Sequence, residues 1–171
     1  DLRTTLDALP RTVAPENIAL FTKYGIFSER ELRSRYEVSL ESYAKIIQIE
    51  ARTMLEMARR EIIPACSKAQ RHIAEAINAK SAAGASAASE KRRLLEADAL
   101  LEAMDSRALA LEKELAQANA ATDSYAACVA CRDRIIPAMA ELREAADALE
   151  QVTSAALWPF PVYEQLLMGA R

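Results

Sequence analysis

Apolar positions recur at helical spacing along almost the whole chain. One stripe runs Leu32, Tyr36, Leu40, Tyr43, Ile47, Ala51, Met54, Ala58, Ile62, Ala65, Ala69, Ile73, Ala76. Its steps are mostly 4-4-3, a period that holds a stripe on one face of a nearly straight helix. The stripe predicts a helix from about Glu29 to about Ala83, roughly 80 Å long at 1.5 Å per residue. A second stripe, Leu94, Ala97, Leu101, Met104, Ala108, Leu111, Leu115, Ala118, alternates steps of 3 and 4 and predicts a helix over about Ser89 to Asn119. A third, Cys128, Cys131, Ile135, Ala138, Leu142, Ala145, Leu149, Val152, predicts one over about Ser124 to Ala156. Runs of Val, Ile and Thr at period two are absent, which excludes β-structure as the frame.

The ends of these elements carry their own signals. Residues 1–14 read as a lead-in with a turn of helix around Thr5–Leu9. Pro15-Glu16-Asn17 opens a short helix through Ile18, Leu20, Phe21 and Tyr24, and Gly25 closes it. Ser28 is placed to cap the long helix, with Glu31 reaching back. Ala82 to Ser86 and Asn119 to Asp123 are the two reversals. Short reversals join antiparallel neighbours, so the expected fold class is all-α: an antiparallel up-down-up bundle of long helices with a short N-terminal helix. Three segments are expected: 1–27, the lead-in and short helix; 28–156, the bundle; and 157–171, a hook followed by a short helix.

The hook is Trp158-Pro-Phe-Pro-Val-Tyr163. Two prolines hold it out of helical geometry, and three aromatics fall within six positions. We expect Trp158, Phe160 and Tyr163 to fold back on Leu32, Tyr36, Leu40 and Tyr43, because soluble monomers seldom leave such a patch open. Those seven are the candidate packing or interface residues. Ile62-Ile-Pro-Ala65 recurs as Ile135-Ile-Pro-Ala138. Counting from the reversals puts Pro64 and Pro137 at one height, where paired kinks would let two helices bend together.

Composition narrows the function. The net charge of −3 argues against a general nucleic-acid partner. No segment reads as a membrane span or a signal peptide, so an intracellular source is expected. The chain opens at Asp1 without an initiator methionine, which we read as a piece of a longer protein. Cys128-Val-Ala-Cys131 invites a metal or redox reading, but zinc wants four ligands, and Cys66 and His72 count to other heights. Both cysteines fall on an apolar stripe, where cysteine packs as a small hydrophobe. His72, the only histidine, reads as a surface or packing residue. Carboxylates stand at i,i+4 from Lys or Arg, as in Glu29–Arg33 and Glu56–Arg60, which is helix-surface pairing. No Gly-rich phosphate loop, HExxH or GxSxG occurs. No catalytic, cofactor-binding or metal residue is expected.

Asn17 to Glu37, Ile49 to Ala58, Ile62-Ile-Pro-Ala65, Asp7-Ala-Leu-Pro10, Ile135-Ile-Pro-Ala-Met139 and Trp158 to Tyr163 together resemble the C-terminal region of type III glutamine synthetases. The matching motifs run in order across the chain, apart from about 80–125. After Tyr163 the chain departs from the family pattern. The resemblance implies a parent enzyme that joins ammonia to glutamate with ATP and Mg or Mn, in a ring-built cytoplasmic homo-oligomer. Its catalytic barrel, metal-binding glutamates and nucleotide site lie upstream, so no catalytic residue carries over and the fragment itself needs no cofactor. The partners it implies are the catalytic domain of the same chain and neighbouring subunits, with no nucleic acid and no membrane. Two other readings stand beside this one: a stand-alone helical protein-interaction module, and a small metal or redox protein using Cys128 and Cys131.

Overall fold

A computed structural model describes residues 2–120, 123–161 and 163–169, without the side chains of Tyr163 and Glu164. The described residues are helical, with no strand among them. The elements are α1 (Thr5–Ala8), a 3-10 turn (Leu9–Val13), α2 (Pro15–Lys23), α3 (Glu29–Met57), α4 (Ile63–Ala82), α5 (Ala88–Asn119), α6 (Ser124–Ala130), α7 (Ile136–Val152) and α8 (Tyr163–Met168). A π-helical turn, Ala58–Ile62, joins α3 to α4, and another, Cys131–Ile135, joins α6 to α7.

Local chemistry sets the boundaries. The Ser28 N–H donates to Glu31 Oε2 at 2.8 Å and the Glu31 N–H to Ser28 Oγ at 3.3 Å, the reciprocal cap expected for α3. Thr4 and Asp7 make the same box for α1. These bonds, Thr4 first, hold the Asp7 carboxyl below its ordinary value. α2 ends at Gly25 (φ +64°) and α4 at Gly84 (φ +72°). At each end the residue after the glycine donates back across the last turn, Ile26 to Phe21 O at 3.0 Å and Ala85 to Lys80 O at 2.9 Å. That bond needs the left-handed glycine conformation.

The π-turns explain the Ile-Ile-Pro-Ala repeat. In a regular α-helix the Pro64 ring would crowd the carbonyl four residues back and leave it without a donor. Here the helix widens first. The Ile63 N–H bonds to the Ala58 carbonyl and the Ile136 N–H to the Cys131 carbonyl, five residues back in both cases. Each proline then occupies the first turn of the helix that follows, where its missing N–H is not needed. The extra residue also moves the stripe. Ala58 and Ile62 are buried as expected, but the next buried position is Cys66, not Ala65, and Ala76 is exposed.

The chain divides into two compact units. The first comprises Asp1–Arg52 and Lys113–Pro137, the second Thr53–Glu112 and Ala138–Arg171. The core of the first contains Leu6, Leu32, Leu40, Ile47, Leu115, Cys128, Cys131 and Ile135. Asn119 stands by Arg52 (Nη2 to Oδ1, 3.3 Å), whereas the Cys128 thiol reaches the Leu40 carbonyl and the Cys131 thiol the Ala44 carbonyl. Numbers therefore rise together along α3 and α6, and α6 starts several turns nearer residue 29 than α5 ended. Arg132 Nη1 ties this layer to α1 through Asp7 Oδ1 at 3.1 Å.

In the second unit Arg59 makes a two-pronged pair with Glu112 (2.8 and 2.6 Å) and Lys80 pairs with Glu90 (2.5 Å). Residues 59–80 and 90–112 thus run in opposite senses. Arg107 donates to the Glu141 carbonyl at 2.9 Å, and the Cys66 thiol meets Thr153 Oγ1 at 3.4 Å. Met104, Ala108, Leu111, Leu142, Ala145 and Leu149 are buried, as their stripes predicted.

Pro137 belongs to the first unit and Pro64 to the second, so the paired-kink expectation names no pair within one unit. Within the second unit Cys66, just after Pro64, stands beside Thr153. Counting from the reversals assumed that α6 starts level with the end of α5. Within the first unit the Asn119–Arg52 and Cys128–Leu40 contacts show that it does not.

Candidate functional site

The spacing of Cys128 and Cys131 carries the sharpest chemical alternative. Cys128 and Cys131 are fully buried in the first unit and Cys66 is buried in the second; all three are free thiols. Cys128 Sγ donates to the Leu40 carbonyl at 3.1 Å and Cys131 Sγ to the Ala44 carbonyl at 3.8 Å. Burial, with Cys131 beside it, pushes the Cys128 thiol up to about 11. Burial also raises Cys66 and Cys131. Such thiols hold little thiolate at neutral pH and make poor nucleophiles. They fill space between helices, and Cys128 and Cys131 donate to carbonyls already in a ladder.

Replacing Cys128 and Cys131 together by alanine is expected to cost about 1–3 kcal/mol in thermal unfolding, the scale of a modest core volume change. Unfolded thiols ionise above about pH 8.5. The buried Cys128 keeps its proton to about pH 11. Wild type should therefore lose stability as pH rises through that window, and the double variant should lose less. Elemental analysis should find no zinc at one per chain.

Among the described residues no group of three or more His, Cys, Asp or Glu is placed to hold a metal ion. Nor is any helix long and apolar enough to cross a membrane. His72 is exposed on α4. The acids serve caps and surface pairs, such as Glu29–Arg33 at 2.7 Å, Glu41–Lys45 at 2.9 Å, Arg71–Glu75 at 2.8 Å and Glu56–Arg60.

The candidate packing residues fall in two places. Leu32 and Leu40 are buried in the first unit; Tyr36 and Tyr43 are half-buried there, and burial pushes both phenols up. Trp158 and Phe160 are half-buried in the second unit, their rings edge to face at a centroid separation of 6.3 Å. With Pro161 and Leu166 they line a recess of about 330 Å³ against Met57, Ile62 and the Arg143–Glu150 stretch of α7. The side chain of Tyr163 lies outside the described residues.

The hook's partners within its own unit are thus Met57, Ile62 and α7. Thr153, just past α7, stands beside Cys66. The Leu157 and Trp158 N–H groups then bond to the Ser154 carbonyl at 2.8 and 3.0 Å, and this turn sends the hook back along α7.

Sequence reasoning put Met54 and Met104 on apolar stripes but did not foresee that methionines gather in one place. Met54, Met57, Met104 and Met139 line a second apolar recess of about 430 Å³ that shares Met57, Ile62, Arg143 and Ala146 with the first. The signal was present in the i,i+3 spacing of Met54 and Met57. Unbranched thioether side chains fill irregular gaps of this kind. It also assigned no role to the apolar residues of α2, none of whose nine residues is fully buried.

The glutamine synthetase C-terminal domain family model matches residues 1–81. A glutamine synthetase of Butyrivibrio fibrisolvens is 29% identical, the alignment covering 100% of this chain and 25% of the relative. The type-3 glutamine synthetase of Dictyostelium discoideum is 30% identical over 98% of this chain and 24% of its own length. A glutamine synthetase of Bacteroides fragilis (strain YCH46) is 26% identical over 94% and 23%. The chain therefore spans about a quarter of the length of these relatives, in their C-terminal part. Motifs, helical frame and alignments thus agree: residues 1–81 match the glutamine synthetase C-terminal domain family, and the similarity to the relatives runs on towards the chain's end.

Proposed function

We propose that this chain is the non-catalytic C-terminal helical domain of a type III glutamine synthetase, a structural, oligomer-contact or regulatory extension. The parent joins ammonia to glutamate using ATP with Mg or Mn, in the cytoplasm, as a homo-oligomer. The domain meets the catalytic part of its own chain and neighbouring subunits. Its three long helical stretches form one up-down-up bundle over residues 28–156, with 1–27 as lead-in. The hook and short helix of 157–171 serve as packing or interface elements through Trp158, Phe160 and Tyr163, as do Leu32, Tyr36, Leu40 and Tyr43 on the first stretch.

The observation that carries this reading is the alignment of nearly the whole chain with one quarter of each relative. Several ionisable side chains, Glu29, Arg59, Arg143 and Glu31 among them, pair along helix surfaces or cap helix ends. The test is γ-glutamyl hydroxamate formation with ATP and Mg²⁺ or Mn²⁺. The full-length product of the gene should turn over, and residues 1–171 alone should match a blank. Turnover by the fragment would sink the non-catalytic reading. A gene without a glutamine synthetase catalytic part would sink the parent.

A further inference from the structure

A helix of α2's nine residues is marginal in water without tertiary cover. The cover here is partial: Ile18 and Phe21 are half-buried and α2 has no fully buried residue. It is well terminated, with Pro15 in its first turn and Gly25 closing it, and a Phe21–Phe27 ring contact at 5.9 Å pins its end. Its outer side holds Leu20, Tyr24 and, just past the turn, Ile26, which are 50%, 65% and 56% exposed. Three large apolar side chains within seven positions make the kind of patch that water does not favour.

Beside them lies a groove of about 400 Å³ whose apolar wall is Leu20, Phe21, Leu32 and Tyr36 and whose rim carries Arg11 and Arg35. The charge here departs from that of the whole chain. Residues 11–35 carry Arg11, Lys23, Arg30, Arg33 and Arg35 against Glu16, Glu29 and Glu31, whereas the chain as a whole has a net charge of −3. Glu29 is engaged with Arg33 and Glu31 with the α3 cap. The surface therefore offers an apolar centre with a basic rim.

We infer that this face of α2 and its groove seat the catalytic part of the parent polypeptide, through a segment that presents an apolar or aromatic side chain flanked by carboxylates. The inference rests on the proposed function. It takes its occupant from the lengths of the relatives, about three-quarters of which lie outside the matched quarter and ahead of it. A basic rim around an apolar centre favours an acidic partner and sets its register.

The experiment uses the full-length protein with p-benzoylphenylalanine in place of Leu20 or, separately, Tyr24, and of Leu109 as a control that is 55% exposed on α5. After irradiation, adducts are mapped by mass spectrometry. Leu20 and Tyr24 should join peptides from upstream of this chain's first residue, in the same or a neighbouring subunit and well above the Leu109 level. Those peptides should contain Asp or Glu beside an apolar residue. Adducts to residues 1–171 of a second copy would overturn the inference, and so would none above the control. If the gene encodes no glutamine synthetase catalytic part, the proposed function fails before any irradiation. If it encodes one and the adducts fall elsewhere, this inference alone fails.

Discussion

Leu40→Ala should lower the stability of the chain by about 2–5 kcal/mol, the range for truncating a buried leucine. Leu40 is 1% exposed, and its own carbonyl receives the Cys128 thiol. The cavity would open between α3 and α6, where two helix backbones already lie close enough for that bond and have little room to collapse. For a chain of this size each kcal/mol moves the melting temperature by about 2–4 °C, so circular dichroism resolves the effect. Val38→Ala is the internal control. Val38 lies two residues earlier on the same helix and is 60% exposed, so its loss should stay within about 0.5 kcal/mol. Equal losses at the two positions would mean that α3 buries a different face from the one described.

The second large effect is expected at the hook. Trp158→Ala should cost about 1–3 kcal/mol, less than a fully enclosed tryptophan, because Trp158 is half-buried and keeps one side open to water. It removes the wall that faces Met57 and Ile62 and the edge-to-face partner of Phe160. Trp158 is the only tryptophan, so fluorescence reports this site alone. Emission should lie between the buried and the fully hydrated limits, with partial quenching by iodide, and Phe160→Ala should increase the quenching. Free quenching in the wild type, with an unchanged melting temperature in the alanine variant, would show that the hook does not pack on α7.

Much of the frame can be read in the sequence because it is written locally. Ser28 and Glu31 are three apart and find each other without help from the rest of the chain. Gly25 and Gly84 mark helix ends because only glycine takes the left-handed conformation at little cost. The α5 stripe from Ala97 to Ala118 is read from spacing alone, since one face of a regular helix repeats by geometry. What escaped depends on how far one helix slides along another. Nothing local says that Cys128 should stand beside Leu40 while Asn119 stands beside Arg52. That offset decides which residues meet within the first unit. The hook's neighbours within the second unit likewise follow from where α7 ends and how Ser154 turns the chain. The repeat around the prolines was visible and was read as a kink, but the sequence does not state that the helix widens ahead of a proline. The outward side of α2 escaped because Ile18, Leu20, Phe21 and Tyr24 form one short run, and spacing alone does not say that Leu20 and Tyr24 stay exposed while Ile18 and Phe21 are half-buried.

The two wide turns bear on how chain length varies in such proteins. Removing one residue from an ordinary α-helix rotates everything beyond it by about 100°, which swings an apolar stripe off its partner. A π-turn already holds one residue outside the regular repeat. Dropping one residue within Ala58–Ile62 or Cys131–Ile135, with the proline that requires the widening replaced by a residue that keeps its N–H, would return the helix to plain α geometry with both flanks still in phase. When this chain is aligned with relatives of slightly different length, single-residue gaps belong at those two turns. There the backbone can take up or give back a residue without disturbing the packed faces on either side.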